Sequence, residues 1–82
     1  MTQTFDFGFG PVPAHKHPNG GGWVADTAYV ADTAYVGPDA RVFGNAVVGS
    51  NARIYGYARV YGNAWVCDDA RVGDKALVSD ML

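Results

Sequence analysis

Residues 40–66 read "ARVFGNAVVGSNARIYGYARVYGNAWV", four consecutive units of Ala-x-(Val/Ile) followed by three turn-prone letters, then a fifth triplet. The spacing extends in both directions. Aliphatic residues fall at Val24, Val30, Val36, Val42, Val48, Ile54, Val60, Val66, Val72 and Val78, six apart and without insertion. An alanine stands two residues before each of the last nine, from Ala28 to Ala76. Apolar–variable–apolar is the alternation of a short strand. The other three positions of each unit are rich in Gly, Asp, Asn, Ser and Pro, the residues of turns. Each hexad therefore predicts a short strand and a corner. A six-residue period drifts around a helix with 3.6 residues per turn and builds no apolar stripe, so helix is excluded.

Composition sets the limits. The chain has 82 residues, enough for one small domain, and 49% of them are hydrophobic, which argues against a disordered tail. Glu is missing and Leu occurs twice, so helix formers are scarce. A core this small supplies only about 3–5 kcal/mol, so self-association, a metal or a disulfide network is expected to supplement it. Cys67 is the single cysteine, which rules out an internal disulfide and suits a reducing compartment. "MTQTFDFGFG" lacks the basic and apolar regions of a signal peptide, and no apolar run approaches the ~20 residues of a membrane span. The net charge is −2 with the six basic residues dispersed, which argues against general nucleic-acid binding. The expectation is a cytoplasmic, β-rich domain.

The uninterrupted hexads over residues 24–78 resemble the hexapeptide-repeat family, whose unit is an aliphatic residue followed four positions later by a small one. The resemblance implies an all-β fold, a left-handed parallel β-helix with three hexads per coil and about three coils. Residues 23–82 form that prism, and residues 1–22 an irregular arm or cap. Inside it, stacked Val and Ile contribute ~1.5–3 kcal/mol each, and Ala sits where the wall closes toward a corner.

Residues eighteen apart then lie above one another, which sorts the outward position of each triplet by face. The first face carries Tyr29, Val47 and Trp65, the second Tyr35, Arg53 and Arg71, the third Arg41, Arg59 and Leu77. The first face is wholly apolar, and contiguous apolar patches mark interfaces. It is read as a subunit contact. Members of the family are commonly homotrimers, so the resemblance implies self-association as a trimer, with a dimer second. Phe43 and Tyr61, on the corner that borders this face, widen the interface or line a groove beside it. Arg53 over Arg71 and Arg41 over Arg59 are like charges in register, which is unfavourable without compensation. Two readings stay open for them. One pairs them with Asp39, Asp68, Asp69 or Asp74; the other makes them an anion site in an inter-subunit cleft, since guanidinium groups bind phosphate bidentately. Tyr35 and Tyr55 would stack a base, giving a nucleotide-like ligand.

In the arm, Phe5, Phe7 and Phe9 suit a cap over the open end of the prism, and Gly20, Gly21 and Gly22 read as a free joint or an anion-binding nest. Met81 and Leu82 plug the other end, or that end stacks on a second molecule. His15 and His17 form an H-x-H pair, a spacing that places two imidazoles on one side of a strand. It is weak evidence for a metal, and no metal site is assigned. Both histidines are kept as ligand-binding candidates.

Three functional classes follow. Most characterised members of the family are acyltransferases that use acetyl-CoA, with a histidine as general base at a subunit interface. Here only His15 or His17 could take that role, and no coil carries an insertion. The favoured class is a non-catalytic oligomeric binding module with no cofactor. "HPNGGGWV" followed by regular hexads resembles the very short hexapeptide-repeat proteins of phages and their bacterial hosts, which implies an accessory role such as sequestering a small anionic ligand or a host factor. The third class is a structural trimerising module.

Overall fold

The computed structural model describes residues 3–8, 10–66 and 68–79; the expectations placed on Phe9, Cys67, Met81 and Leu82 lie outside these residues. Every described hexad becomes one short strand that ends on, or runs one residue past, its aliphatic residue. In chain order these are β3 (Trp23–Ala25), β4 (Tyr29–Val30), β5 (Tyr35–Val36), β6 (Arg41–Val42), β7 (Val47–Val48), β8 (Arg53–Ile54), β9 (Arg59–Val60), β10 (Trp65–Val66), β11 (Arg71–Val72) and β12 (Leu77–Val78). No helix occurs among the described residues.

The strands pair in parallel with the eighteen-residue register that the sequence predicts. One sheet runs β4-β7-β10, a second β5-β8-β11, and a third contains β3-β6-β9-β12. Tyr29 lies over Val47 and Trp65. Tyr35 lies over Arg53 and Arg71. The third column is headed by Trp23, above Arg41, Arg59 and Leu77. Backbone amides donate from one coil to the next, as from Tyr35 to the Ala52 carbonyl (3.0 Å) and from Arg53 to Ala70 (2.9 Å). The protein is a parallel β-helix of three turns.

Its interior is a stack of small aliphatic side chains. Val24, Val36, Val42, Val48, Ile54 and Val60 are fully buried, as are the alanines from Ala34 to Ala64. The core thins at its ends: Val30, Val72 and Val78 are half-buried and Ala70 is exposed.

Corners come in two kinds. From the middle of the chain onward, the second corner residue is left-handed at Gly44, Ser50, Gly56, Gly62, Asp68 and Asp74, with φ between 48° and 69°. The earlier corners at Asp26, Asp32 and Pro38 lack a positive φ. In the doubled hexad "ADTAYVADTAYV" the threonines join the corners to the coil below. Thr27 Oγ1 donates to the Gly44 carbonyl, and Thr33 Oγ1 to that of Ser50 at 2.7 Å. One coil later a backbone amide does this, as from Asn45 to Gly62 (2.9 Å) and Asn51 to Asp68 (3.1 Å).

The N-terminal segment is integrated with the prism. β1 (Thr4–Asp6) and β2 (Pro11–Lys16) form an antiparallel hairpin, and β2 pairs with β3, so the hairpin extends the third-face sheet. Residues 17–22 then follow the edge of the second face. The Val36 amide donates to the Asn19 carbonyl (3.0 Å), and the Val36 carbonyl accepts from Gly22 (2.9 Å). Two of the three strand edges at this end are thus paired by the segment, which removes exposed edge from a sheet. The expectation of a free joint at Gly20–Gly22 is corrected here. A Cβ on Gly20, whose φ is +110°, would stand 2.2 Å from the Val36 carbonyl oxygen, and one on Gly22 would stand 2.3 Å from that of Gly37. Glycine serves close backbone approach at these positions.

Candidate functional site

The second face carries a groove of about 620 Å³, lined by Asn19, Thr33, Tyr35, Asn51, Arg53, Tyr55 and Arg71. Its volume lies in the range of small-molecule sites, ~300–1,000 Å³. The strand register creates its floor: β5, β8 and β11 place Tyr35, Arg53 and Arg71 in one outward column, one coil apart. Thr33 and Asn51 stand two residues before Tyr35 and Arg53, on the corner that precedes the face. Tyr55 stands on the corner that follows it.

Glycines hold both tyrosines in place. The Tyr35 ring packs on the glycine loop, so that a Cβ on Gly20 would lie 2.8 Å from its Cε1 and one on Gly37 3.3 Å from its Cε2. Tyr55, 43% exposed, folds its ring down over Gly73 in the next coil, where an added Cβ would lie 2.1 Å from Cε2. Both rings thus rest on glycine backbone. Thr33 Oγ1 is committed to the Ser50 carbonyl and Asn19 Nδ2 to the Ala34 carbonyl (3.1 Å). Arg53 and Arg71 are exposed, and neither makes an ion pair with a described carboxylate. Two arginines that are Cα partners on adjacent strands thus share the floor of a groove without a described counter-charge.

Four of the eight ligand-binding candidates meet in this groove: Arg53, Arg71, Tyr35 and Tyr55. Arg41 and Arg59 belong to the third face. The Arg41 guanidinium lies 4.8 Å over the Phe5 ring, a cation–π contact made with the N-terminal hairpin. His15 and His17 take separate partners. His15 Nδ1 is 2.8 Å from Asp26 Oδ1, with both side chains about half exposed. His17 is 3% exposed, and its Nε2 donates to the Ala34 carbonyl at 2.8 Å. It fastens the glycine loop to the second face. No three His, Cys, Asp or Glu side chains converge among the described residues.

Sequence reasoning missed Asn19, Thr33 and Asn51. The last two obey the same eighteen-residue period as Tyr35 and Arg53, so sorting the corner positions by face would have found them. Asn19 comes from outside the repeat, where the period has no reach.

The five residues assigned to an interface divide. Tyr29 and Trp65 are 61% and 63% exposed, with Val47 half-buried between them in register. Phe43 and Tyr61 stack on each other at 5.2 Å, 8° from parallel, and Phe7 stacks on Phe43 at 4.9 Å. Phe7 then meets Phe5 edge-on, and Phe5 stacks on Trp23, both at 4.8 Å. These rings form a ladder within the chain that fastens the hairpin to the prism, with Phe7 itself buried.

Residues 52–68 match a family model described as the YdcK beta solenoid repeat. The match spans β8, β9 and β10, one strand from each face and hence one turn of the prism. No curated protein and no solved structure matches the chain. The turn that resembles the YdcK repeat, together with the three stacked turns of the structure, makes this chain a β-helix repeat protein.

Proposed function

We propose that this protein is a non-catalytic binding module whose second-face groove holds a small anionic, nucleotide-like ligand, in an oligomer assembled through the first face. The observation that carries the reading is the register pair Arg53–Arg71, set in a groove without a described carboxylate. Like charges on adjacent strands repel, and a bound anion would turn that cost into affinity through charge-assisted, bidentate hydrogen bonds. Tyr35 and Tyr55 supply aromatic walls, and base–aromatic stacking is worth ~1–3 kcal/mol per base. Holding the ligand without turnover is the simplest use of such a groove, because its lining of Asn, Thr, Tyr and Arg offers no histidine or carboxylate as general base.

The acyltransferase reading, with acetyl-CoA, has one observation in its favour. His15 and Asp26 form an imidazole–carboxylate pair, the arrangement that orients a general base. That pair does not line the groove.

A thermal-shift panel of acetyl-CoA, nucleotides and cyclic oligonucleotides tests the proposal. A ligand present at 1,000 times its Kd should stabilise the fold by ~4 kcal/mol, and Arg53→Ala or Arg71→Ala should abolish the shift. A panel in which no anion raises the melting temperature would overturn it.

A further inference from the structure

We infer that the anion held by this groove is a linked diphosphate, borne on a nucleoside: a nucleoside diphosphate. The inference rests on the anion-binding reading above and names its ligand class.

The number of charges comes from the register. Arg53 and Arg71 are Cα partners on adjacent parallel strands, and both line the groove. Each guanidinium is a planar fork that takes two acceptor oxygens at once. A single phosphate group presents three oxygens, enough to fill one fork and leave the other half-occupied. Two phosphates joined through one oxygen offer each fork its own pair, and two long side chains rooted on adjacent strands about 4.8 Å apart can converge on them. A monocarboxylate, with two oxygens, would leave one cation uncompensated.

The rest of the lining suits a nucleoside. Tyr55 is held against Gly73 while 43% exposed, so its ring keeps its place and remains accessible. Asn51 stands beside Arg53 on the groove wall. Its side-chain amide makes no hydrogen bond with a described residue. An amide donates and accepts side by side, which complements the paired donor and acceptor of an adenine edge. Hydrocarbon walls that would select an acyl chain are missing from the lining, whose apolar surface is the two tyrosine rings.

Calorimetric titration of the full chain with four probes tests this. The probes are ADP, AMP, adenosine 3′,5′-bisphosphate and inorganic pyrophosphate. ADP should bind about tenfold or more tightly than AMP, the effect of one additional charged hydrogen-bonding group. It should also bind about tenfold more tightly than the 3′,5′-bisphosphate, which has two phosphates on separate oxygens of the sugar. Pyrophosphate should bind about tenfold more weakly than ADP, for want of the stacked base. Arg53→Ala and Arg71→Ala should each bring ADP down to the affinity of AMP. Arg53→Lys, which keeps the charge and loses the fork, should fall between.

If AMP or the 3′,5′-bisphosphate binds as tightly as ADP, the linked diphosphate is overturned while anion binding stands. If pyrophosphate equals ADP, the nucleoside is overturned. If none of the four binds but another anion of the thermal-shift panel does, only the inference fails. If no anion binds at all, the reading beneath it fails as well.

Discussion

The ring of Tyr55 occupies the space above Gly73: a Cβ built on that glycine would stand 2.1 Å from Tyr55 Cε2 and 2.2 Å from Cζ. Two residues one coil apart, a bulky ring and a glycine, are therefore one structural unit. Gly73 has no positive φ, so its backbone tolerates a side chain. What must move is an exposed ring. Gly73→Ala should cost less than about 1 kcal/mol in urea unfolding and yet displace the groove wall, weakening ligand binding several-fold. Gly20→Ala is the contrast. There φ is +110° and the obstacle is the Val36 carbonyl, a backbone atom. Strain of ~1–3 kcal/mol should appear, and a stability equal to wild type would sink the loop geometry.

The left-handed corners make a second test. Ser50 holds φ at 48° among corners where Gly44, Gly56 and Gly62 do the same without a Cβ. A left-handed residue other than glycine costs ~1–2 kcal/mol, offset in part by the larger entropy that glycine loses on folding. Ser50→Gly should stabilise the fold by roughly 0.5–1 kcal/mol. Gly44→Ala should do the opposite, since its φ is +69° and its Cβ would stand 2.8 Å from the Gly62 nitrogen. Chemical denaturation of the two variants decides both. Matching midpoints for Ser50→Gly and Gly44→Ala would mean that the corner conformations are misassigned.

How much of this was legible in the letters follows from what the period controls. Position within the hexad decides burial in the middle coils, and it assigns Val48, Ile54 and the alanines from Ala34 to Ala64 to the interior. Position modulo eighteen decides the face, so Tyr35, Arg53 and Arg71 were brought together by counting. Contacts that break the period were not legible. The hairpin stacks Phe7 on Phe43 and Phe5 on Trp23, and residues 17–22 pair with Val36, through a chain path that no repeat encodes. The corners also escaped, because Asp-Thr and Gly-Asn both read as turn residues although only the second class is left-handed. At Asp26 and Asp32 the next residues, Thr27 and Thr33, send hydroxyls to the carbonyls of the coil below, and at Pro38 the ring itself fixes φ near about −65°.

The buried ladder should tolerate little. Ile54 and Val48 are fully buried in the middle coil. Truncation of a buried Ile to Ala typically costs ~2–5 kcal/mol, against the ~3–5 kcal/mol that a core of this size provides. Ile54→Ala should leave a marginal fold. Val48→Asp should abolish it, because a carboxylate buried without a partner is far costlier. Circular dichroism during urea titration checks this. A Val48→Asp protein that melts with wild type would refute the interior packing.

Asp6 fastens the turn of the hairpin. Its Oδ1 accepts hydrogen bonds from the amides of Gly8 (2.7 Å) and Gly10 (3.0 Å). First the Gly8 amide and then that of Gly10 favour the carboxylate and hold its pKa below the ordinary 3.8. Because the folded pKa is the lower one, the contribution is fully present above the unfolded value and is lost as pH falls through the folded value. Neutral and mildly acid solutions should leave the turn intact. Amide resonances of Gly8 and Gly10 should move together only below about pH 4, the unfolded carboxyl range. In Asp6→Asn they should not move at all. A transition near pH 6 would implicate another group.

Surroundings separate the two tyrosines of the doubled hexad. Tyr29 and Trp65 stand more than 60% exposed with Val47 between them, an apolar column on the first-face sheet. Tyr35, in the same position of an identical word, is half-buried beneath the glycine loop and lines the groove. If the first face joins subunits, truncating or charging it should act on association alone. Trp65→Glu should lower the mass seen by light scattering to that of a smaller species. Tyr29→Ala should raise the dissociation constant about tenfold or more, as for an aromatic anchor at an interface. Tyr35→Ala should leave the mass unchanged while weakening ligand binding. A Trp65→Glu protein with the wild-type mass would remove the first face from the interface. A Tyr35→Ala protein of lower mass would place subunit contact on the second face, where the groove would then have to be shared between copies.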